Sequence, residues 1–242
     1  MPVRSREALK TADILVFESE RGGRAALKGA GIHRPFDVLS EHREAATLDA
    51  VHEALIQGKT VCYMSDQGMP TVADPGKDLT RIAASLKAKI RVIPGPSSIT
   101  TALSAWPKAL NRFHYTGFFP ADKDERRSAI ARAASLDVPQ VIMDTPYRLQ
   151  SVVDDCAAGF GIDRFALIAL EMGTDREDFM MGSLGDLKTE IESIAHTKPL
   201  FVLVVDGIRG VARPPQAQRP AARNTGNRGT GWVKGRGNKV KR

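Results

Sequence analysis

Residues 65–76, SDQGMPTVADPG, decide the fold. They join an apolar run, Thr60–Met64, which reads as a buried strand, to Lys77–Leu86, where Leu79, Ile82, Ala83 and Leu86 recur at helical spacing. Two Gly, two Pro and two Asp lie between the strand and the helix. A shaped loop at the carboxyl end of a strand is where open α/β sheets take their ligands. Gly68 and Gly76 permit backbone angles closed to other residues, and Pro70 and Pro75 stiffen the turn. Asp66 and Asp74 accept hydrogen bonds from hydroxyls or amines, or cap the next helix. An ordinary strand-to-helix loop has the same composition, so both readings stay open at this point.

Outward from this loop, strands alternate with helices. Upstream come a short helix at 3–12, a strand at 13–18, a polar turn at 19–23, a helix at 24–29, a strand at 36–39 and a helix at 44–57. Downstream of the helix at 77–86 lie a strand at 90–93, the turn PGPSS at 94–98 and a helix at 99–106. This order predicts a parallel sheet covered by helices. After a linker at 107–112, strands are expected at 113–119, 140–144, 165–170, 179–182 and 200–205, with helices at 122–135, 147–158 and 184–195. The short links between the later strands allow antiparallel pairing, so the second sheet is expected to be mixed. The predicted fold is α/β: one α/β domain over 1–110, a second over 111–207, and a cleft between them.

Ten of the 35 Lys and Arg lie from Ile208 onward and none of the 28 Asp and Glu does, which leaves residues 1–207 with a net charge of −3. The tail, 208–242, is too polar to offset its chain entropy and is expected to be disordered. Its spaced Arg and Lys, with Trp232 free to stack, suit a flexible arm on nucleic acid; equally, they suit a solubilising tail. No apolar run reaches the ~20 residues that span a bilayer, and no secretory leader is recognisable, so a cytoplasmic protein is expected. Cys62 and Cys156 read as buried free thiols, and without a Cys/His cluster no metal site is expected. No GxGxxG, no Walker loop and no Ser-His-Asp spacing is present. His42 and Glu18 are possible acid–base groups by position alone, with surface or capping roles as the alternatives.

Five segments in order carry a resemblance: SDQGMPTVADPG, IPGPSSITTALSA, DTPYRL, ALEMGT and TKPLFVLVVDG, with GFFP at Gly117–Pro120. Together they resemble the tetrapyrrole methylase superfamily and, within it, the ribosomal RNA small-subunit methyltransferase I branch, over about residues 13–207. The resemblance implies S-adenosylmethionine as methyl donor, bound without the Rossmann glycine fingerprint. It implies cofactor contacts at Gln67, Gly68 and Met69 with Val72 behind them, at Ser97 and Ser98, at Thr145, and at Met172 with Pro199 near by. In that branch the acceptor is a ribose 2′-hydroxyl of small-subunit rRNA, which needs a base. Asp66 is the first candidate, with Glu18 and Asp74 behind it. Arg148 and Arg21 are candidates for RNA phosphates or for pairing with carboxylates. The resemblance implies small ribosomal subunit RNA as partner and a homodimer. A small tetrapyrrole-like substrate, or a binding protein without catalysis, are the alternatives. Three features depart from the pattern. Members of the branch open with a strand and loop of the kind LYLVPTPIGN before the helix that here begins near Val3, so the first sheet is expected to expose an unpaired edge. DTPYR stands where YESTHR is more usual, and the basic tail lies outside the resemblance.

Overall fold

Four consecutive apolar residues, Ile14–Phe17, form β1, the central strand of a three-stranded parallel sheet in this computed structural model, which describes residues 1–39, 44–72 and 76–208. β2 (Asp37–Val38) lies on one side of it and β3 (Val61–Met64) on the other, with Ile14 opposite Val61 and Phe17 opposite Met64. Strand alternation sends the side chains to two helical layers. Leu15, Phe17, Cys62 and Met64 pack with Leu9 of α1 (Val3–Thr11) and Leu27 and Ala30 of α2 (Glu20–Ala30). Val16, Val61 and Tyr63 pack with Val51 of α3 (Glu44–Ile56) and Leu79 of α4 (Lys77–Ser85).

α5 (Ser98–Ser104) leads into the second sheet, whose five strands are ordered β4-β5-β8-β6-β7. These are β4 (His114–Gly117), β5 (Gln140–Met143), β6 (Phe165–Leu170), β7 (Asp178–Ser183) and β8 (Phe201–Val205). β4 and β5 are parallel, and the other pairings are antiparallel, so this sheet is mixed as expected. Ile142, Ala166, Ile168, Leu203 and Val205 point to one face, covered by α6 (Lys123–Ala134), α7 (Leu149–Phe160) and α8 (Leu184–Glu190). Val141, Leu167, Ala169, Val202 and Val204 point to the other, covered by Ala102 and Leu103 of α5 and by Trp106. α5 thus precedes the expected division near residue 110 in sequence but packs on the second sheet. Being covered on both faces explains why β6 and β8 are nearly continuous apolar runs.

Four local expectations are corrected. The polar turn at 19–23 is instead the start of α2: Ser19, in extended backbone, accepts a 2.9 Å bond from the Gly22 amide through Oγ. Gly22 and Gly23 are there for close approach. A Cβ on Gly22 would collide with the Asp66 carboxylate, and one on Gly23 would lie 2.8 Å from the Phe36 ring. Residues 90–93 form no strand; Ile90 and Val92 are 51% and 65% exposed. A strand needs a partner, and β3 is an outer strand of its sheet among the described residues, with all four residues only half-buried. The helix expected at 147–158 begins as a 3₁₀ turn, Pro146–Arg148, before α7, and the one expected at 184–195 ends as two 3₁₀ turns after Glu190. His42, Asp74 and the tail from Arg209 onward lie outside the described residues.

Candidate active site

Because β8 runs antiparallel to β5 and β6, its start meets their ends: Met143 lies opposite Val202, and Leu170 opposite Phe201. Thr145, two residues past β5, Met172, two past β6, and Pro199, two before β8, therefore emerge at one end of the sheet. Two contacts tie these segments together. The Lys198 ammonium sits 4.7 Å from the Tyr147 ring centroid, and the Glu171 amide donates a 2.9 Å bond to the Leu200 carbonyl. Three residues that the sequence places 27 or more positions apart share one rim.

The other two groups reach this rim through packing. Ser97 and Ser98 open α5, whose Ala102 and Leu103 belong to the buried cluster against which half-buried Met172 packs. The Met69 sulfur lies 3.6 Å from the place a Cβ would take on Gly95, so the 67–72 loop reaches the PGPSS turn. Gln67, Gly68, Val72 and Thr145 are exposed, Met69, Ser97, Ser98 and Met172 are half-buried, and Pro199 is buried. Gly68 has φ +69°, and among the described residues no atom beyond its two chain neighbours lies within 4 Å of where its Cβ would be, so the loop backbone is open to them on that side. Thr71, at φ +71°, holds the same loop in a conformation that costs a non-glycine residue energy.

The carboxylates near the loop are engaged. Asp66 Oδ2 accepts a 2.6 Å bond from the Ser19 hydroxyl, and the Asp66 amide donates 2.8 Å to Glu18 Oε2. The pair joins the ligand loop to the first turn of α2. Buried Asp144 accepts the Thr145 amide at 2.7 Å through Oδ1, and its Oδ2 lies 3.3 Å from Arg148 Nη1. Arg148 also donates to the Phe119 carbonyl at 3.3 Å, so it braces its own loop, while Arg21 is exposed on α2. Burial pushes the Cys62 thiol up, partly offset by the Arg34 charge, and pushes Cys156 up much further. Neither behaves as a ready thiolate. Among the described residues no three His, Cys, Asp or Glu side chains come together as metal ligands. Sequence reading missed Asp144 and Glu171; their only signal is a carboxylate placed directly after an apolar strand.

A parallel sheet, a mixed sheet and loops gathered at one end form a known methyltransferase fold. The crystal structure of the methyltransferase CobJ superposes with a TM-score of 0.60 at 16% identity, covering 88% of this chain and 91% of that one. The cobalt precorrin-4 methyltransferase CbiF superposes with a TM-score of 0.57 at 14% identity, covering 85% and 88%. The family model for Tetrapyrrole (Corrin/Porphyrin) Methylases matches residues 1–188, and the chain belongs to that family. Its sequence is 31% identical over 205 residues to the ribosomal RNA small subunit methyltransferase I of Xylella fastidiosa, covering 84% of this chain and 75% of that protein. It is 28% identical over 205 residues to the protein of the same name from Escherichia coli O157:H7, covering 84% and 72%.

Proposed function

We propose that this protein is an S-adenosylmethionine-dependent methyltransferase that acts on small-subunit ribosomal RNA, at a ribose 2′-oxygen. The observation that carries the reading is that the five segments bearing Met69, Ser97, Thr145, Met172 and Pro199 are joined by contacts: Met69 with Gly95, Met172 with the α5 cluster and Lys198 with Tyr147. The residues fit such a cofactor. Open backbone at Gly68 offers amides and carbonyls to polar edges, and Met69 and Met172 offer apolar walls. Bound there, the sulfonium would supply an electrophilic methyl group. The chain's part is to hold the acceptor in line and to take its proton. In this reading Gln67, Gly68, Met69 and Val72 would form one wall, Ser97 and Ser98 the start of a second, and Thr145, Met172 and Pro199 a third. Asp66 is the base of this reading, with its carboxylate held in place by the Ser19 hydroxyl. The reading places the protein in the cytoplasm, as a homodimer, with domains dividing near residue 110. No helix among the described residues is long and apolar enough to cross a membrane.

Calorimetric titration of S-adenosylmethionine into the wild type, Gly68→Trp and Gly68→Ala tests the site. Both variants share the strain of a side chain at positive φ, but only Trp fills the loop's open side. Micromolar binding kept by Ala and lost by Trp is expected. Transfer of labelled methyl to small ribosomal subunits, resistant to alkaline hydrolysis at one ribose, is then expected of the wild type. Binding without transfer to any RNA would sink the substrate, and no binding at all would sink the reading.

A further inference from the structure

Glu171 is the last residue before the Met172 turn, and it replaces a rung of the sheet. The register Leu170 opposite Phe201 makes Glu171 and Leu200 the next pair. Opposed residues in an antiparallel ladder alternate between hydrogen-bonded and non-hydrogen-bonded pairs, and a residue of the first kind exchanges two backbone bonds with its partner. Only one is made here: the Glu171 amide donates to the Leu200 carbonyl at 2.9 Å. Glu171 has φ +47°, unusual for a non-glycine residue, which turns its carbonyl away from β8. That carbonyl accepts instead from the Thr174 amide at 3.1 Å and the Thr174 hydroxyl at 2.8 Å. The Leu200 amide takes the Glu171 side chain in its place, donating 2.7 Å to Oε1. Oε2 is held 2.8 Å from Arg176, and the carboxylate side chain is only 12% exposed.

The geometry assigns Glu171 as a positioning residue, building on the function proposed above. Its carboxylate stands in for its own carbonyl, so the chain turns early and carries Met172 onto the α5 cluster while the segment bearing Pro199 stays fixed to β6. A Gln at 171 still accepts the Leu200 amide, whereas Gly relieves the positive φ but loses the tether.

The test compares the full chain carrying Glu171→Gln and Glu171→Gly with the wild type. The first readout is amide hydrogen exchange at Leu200 and Met172 in the protein alone; the second is S-adenosylmethionine affinity by calorimetry; the third is the thermal midpoint. In the Gly variant, exchange at Leu200 at least ~10-fold faster and affinity at least ~10-fold weaker are expected, because a charged acceptor has been removed from its amide. Its thermal midpoint is expected to stay near the wild-type value, since relief of strain opposes the lost bond. Gln is expected to restore both exchange and affinity to within ~3-fold of wild type through the retained acceptor. Unchanged Leu200 exchange in the Gly variant overturns the tether. Affinity that falls only in step with the thermal midpoint overturns positioning in favour of a plain stability role. If the wild type binds no S-adenosylmethionine, the proposed function fails, and the exchange readout alone decides the tether.

Discussion

The two sheets of this protein are built from similar apolar strands and are covered very differently. β8 is buried at all five positions and β6 at five of six, because helices close both faces and strands flank both edges. β3, Val61–Met64, is half-buried throughout and ends its sheet among the described residues. Strand-forming residues therefore do not by themselves make a well-protected strand; neighbours on the faces and edges do. The rim that collects Thr145, Met172 and Pro199 stands on the well-covered sheet, while the loop that begins at Ser65 follows the half-buried strand.

The largest expected effect separates the two cores. Leu203 is fully buried in β8, and Leu203→Ala should cost about 2–5 kcal/mol in denaturant unfolding, the range for truncating a core Leu. Val61→Ala in half-buried β3 should cost about 1 kcal/mol or less. Equal losses at the two sites would break the comparison, because they would mean that β3 is as well covered as β8.

A smaller effect sharpens it in a segment that joins neither sheet. Val92 is 65% exposed in the segment that reads as a strand but pairs with nothing among the described residues. Val92→Lys should change stability by no more than about 0.5 kcal/mol, as for other surface positions. The same variant should reduce self-association at high concentration, measured by light scattering, because a Lys in an exposed β-branched segment discourages pairing with another chain. A loss of several kcal/mol would show that 90–93 is covered after all.

This segment also shows where the sequence was legible. The runs FALIAL and FVLVV predict β6 and β8 almost to the residue, because apolar residues alternate between two faces that both need burial. IRVI at 90–93 carries the same β-branched signal, but a partner strand is not visible in a local window. Gly22 and Gly23 read as a turn, because the reasons for them, the Asp66 carboxylate and the Phe36 ring, lie 44 and 13 positions away. At the site, the motif order marks Met172 and Pro199. The carboxylate of Glu171 completing the ladder is invisible, since nothing in ALEMGT says that a non-glycine residue turns left-handed. Asp66 reads as a candidate base, yet its bond to Ser19 spans 47 positions and appears only in the folded chain.

The smallest expected effect lies at the rim of the well-covered sheet and sets a limit on its robustness. Asp122 caps α6, accepting the Glu125 amide at 2.9 Å and the Asp124 amide at 3.0 Å through Oδ1. The Glu125 bond is the main cause that holds its carboxyl below the ordinary 3.8. A carboxyl lowered in the folded state binds its proton more readily in the unfolded chain, so the cap contributes above pH 3.8 and is lost as pH falls through the folded value. Asp122→Asn keeps a neutral cap and has no such titration. Wild type should therefore exceed the variant slightly in unfolding midpoint near neutral pH, with the difference closing in acid. A gap that stays constant with pH would mean that the Asp122 charge contributes nothing and that the cap works through its geometry alone. In either case α6 covers only one face of the second sheet, so fraying its first turn should leave exchange at β8 unchanged. Faster exchange at β8 in acid, absent from the variant, would show that the protected sheet depends on its outermost helical turn.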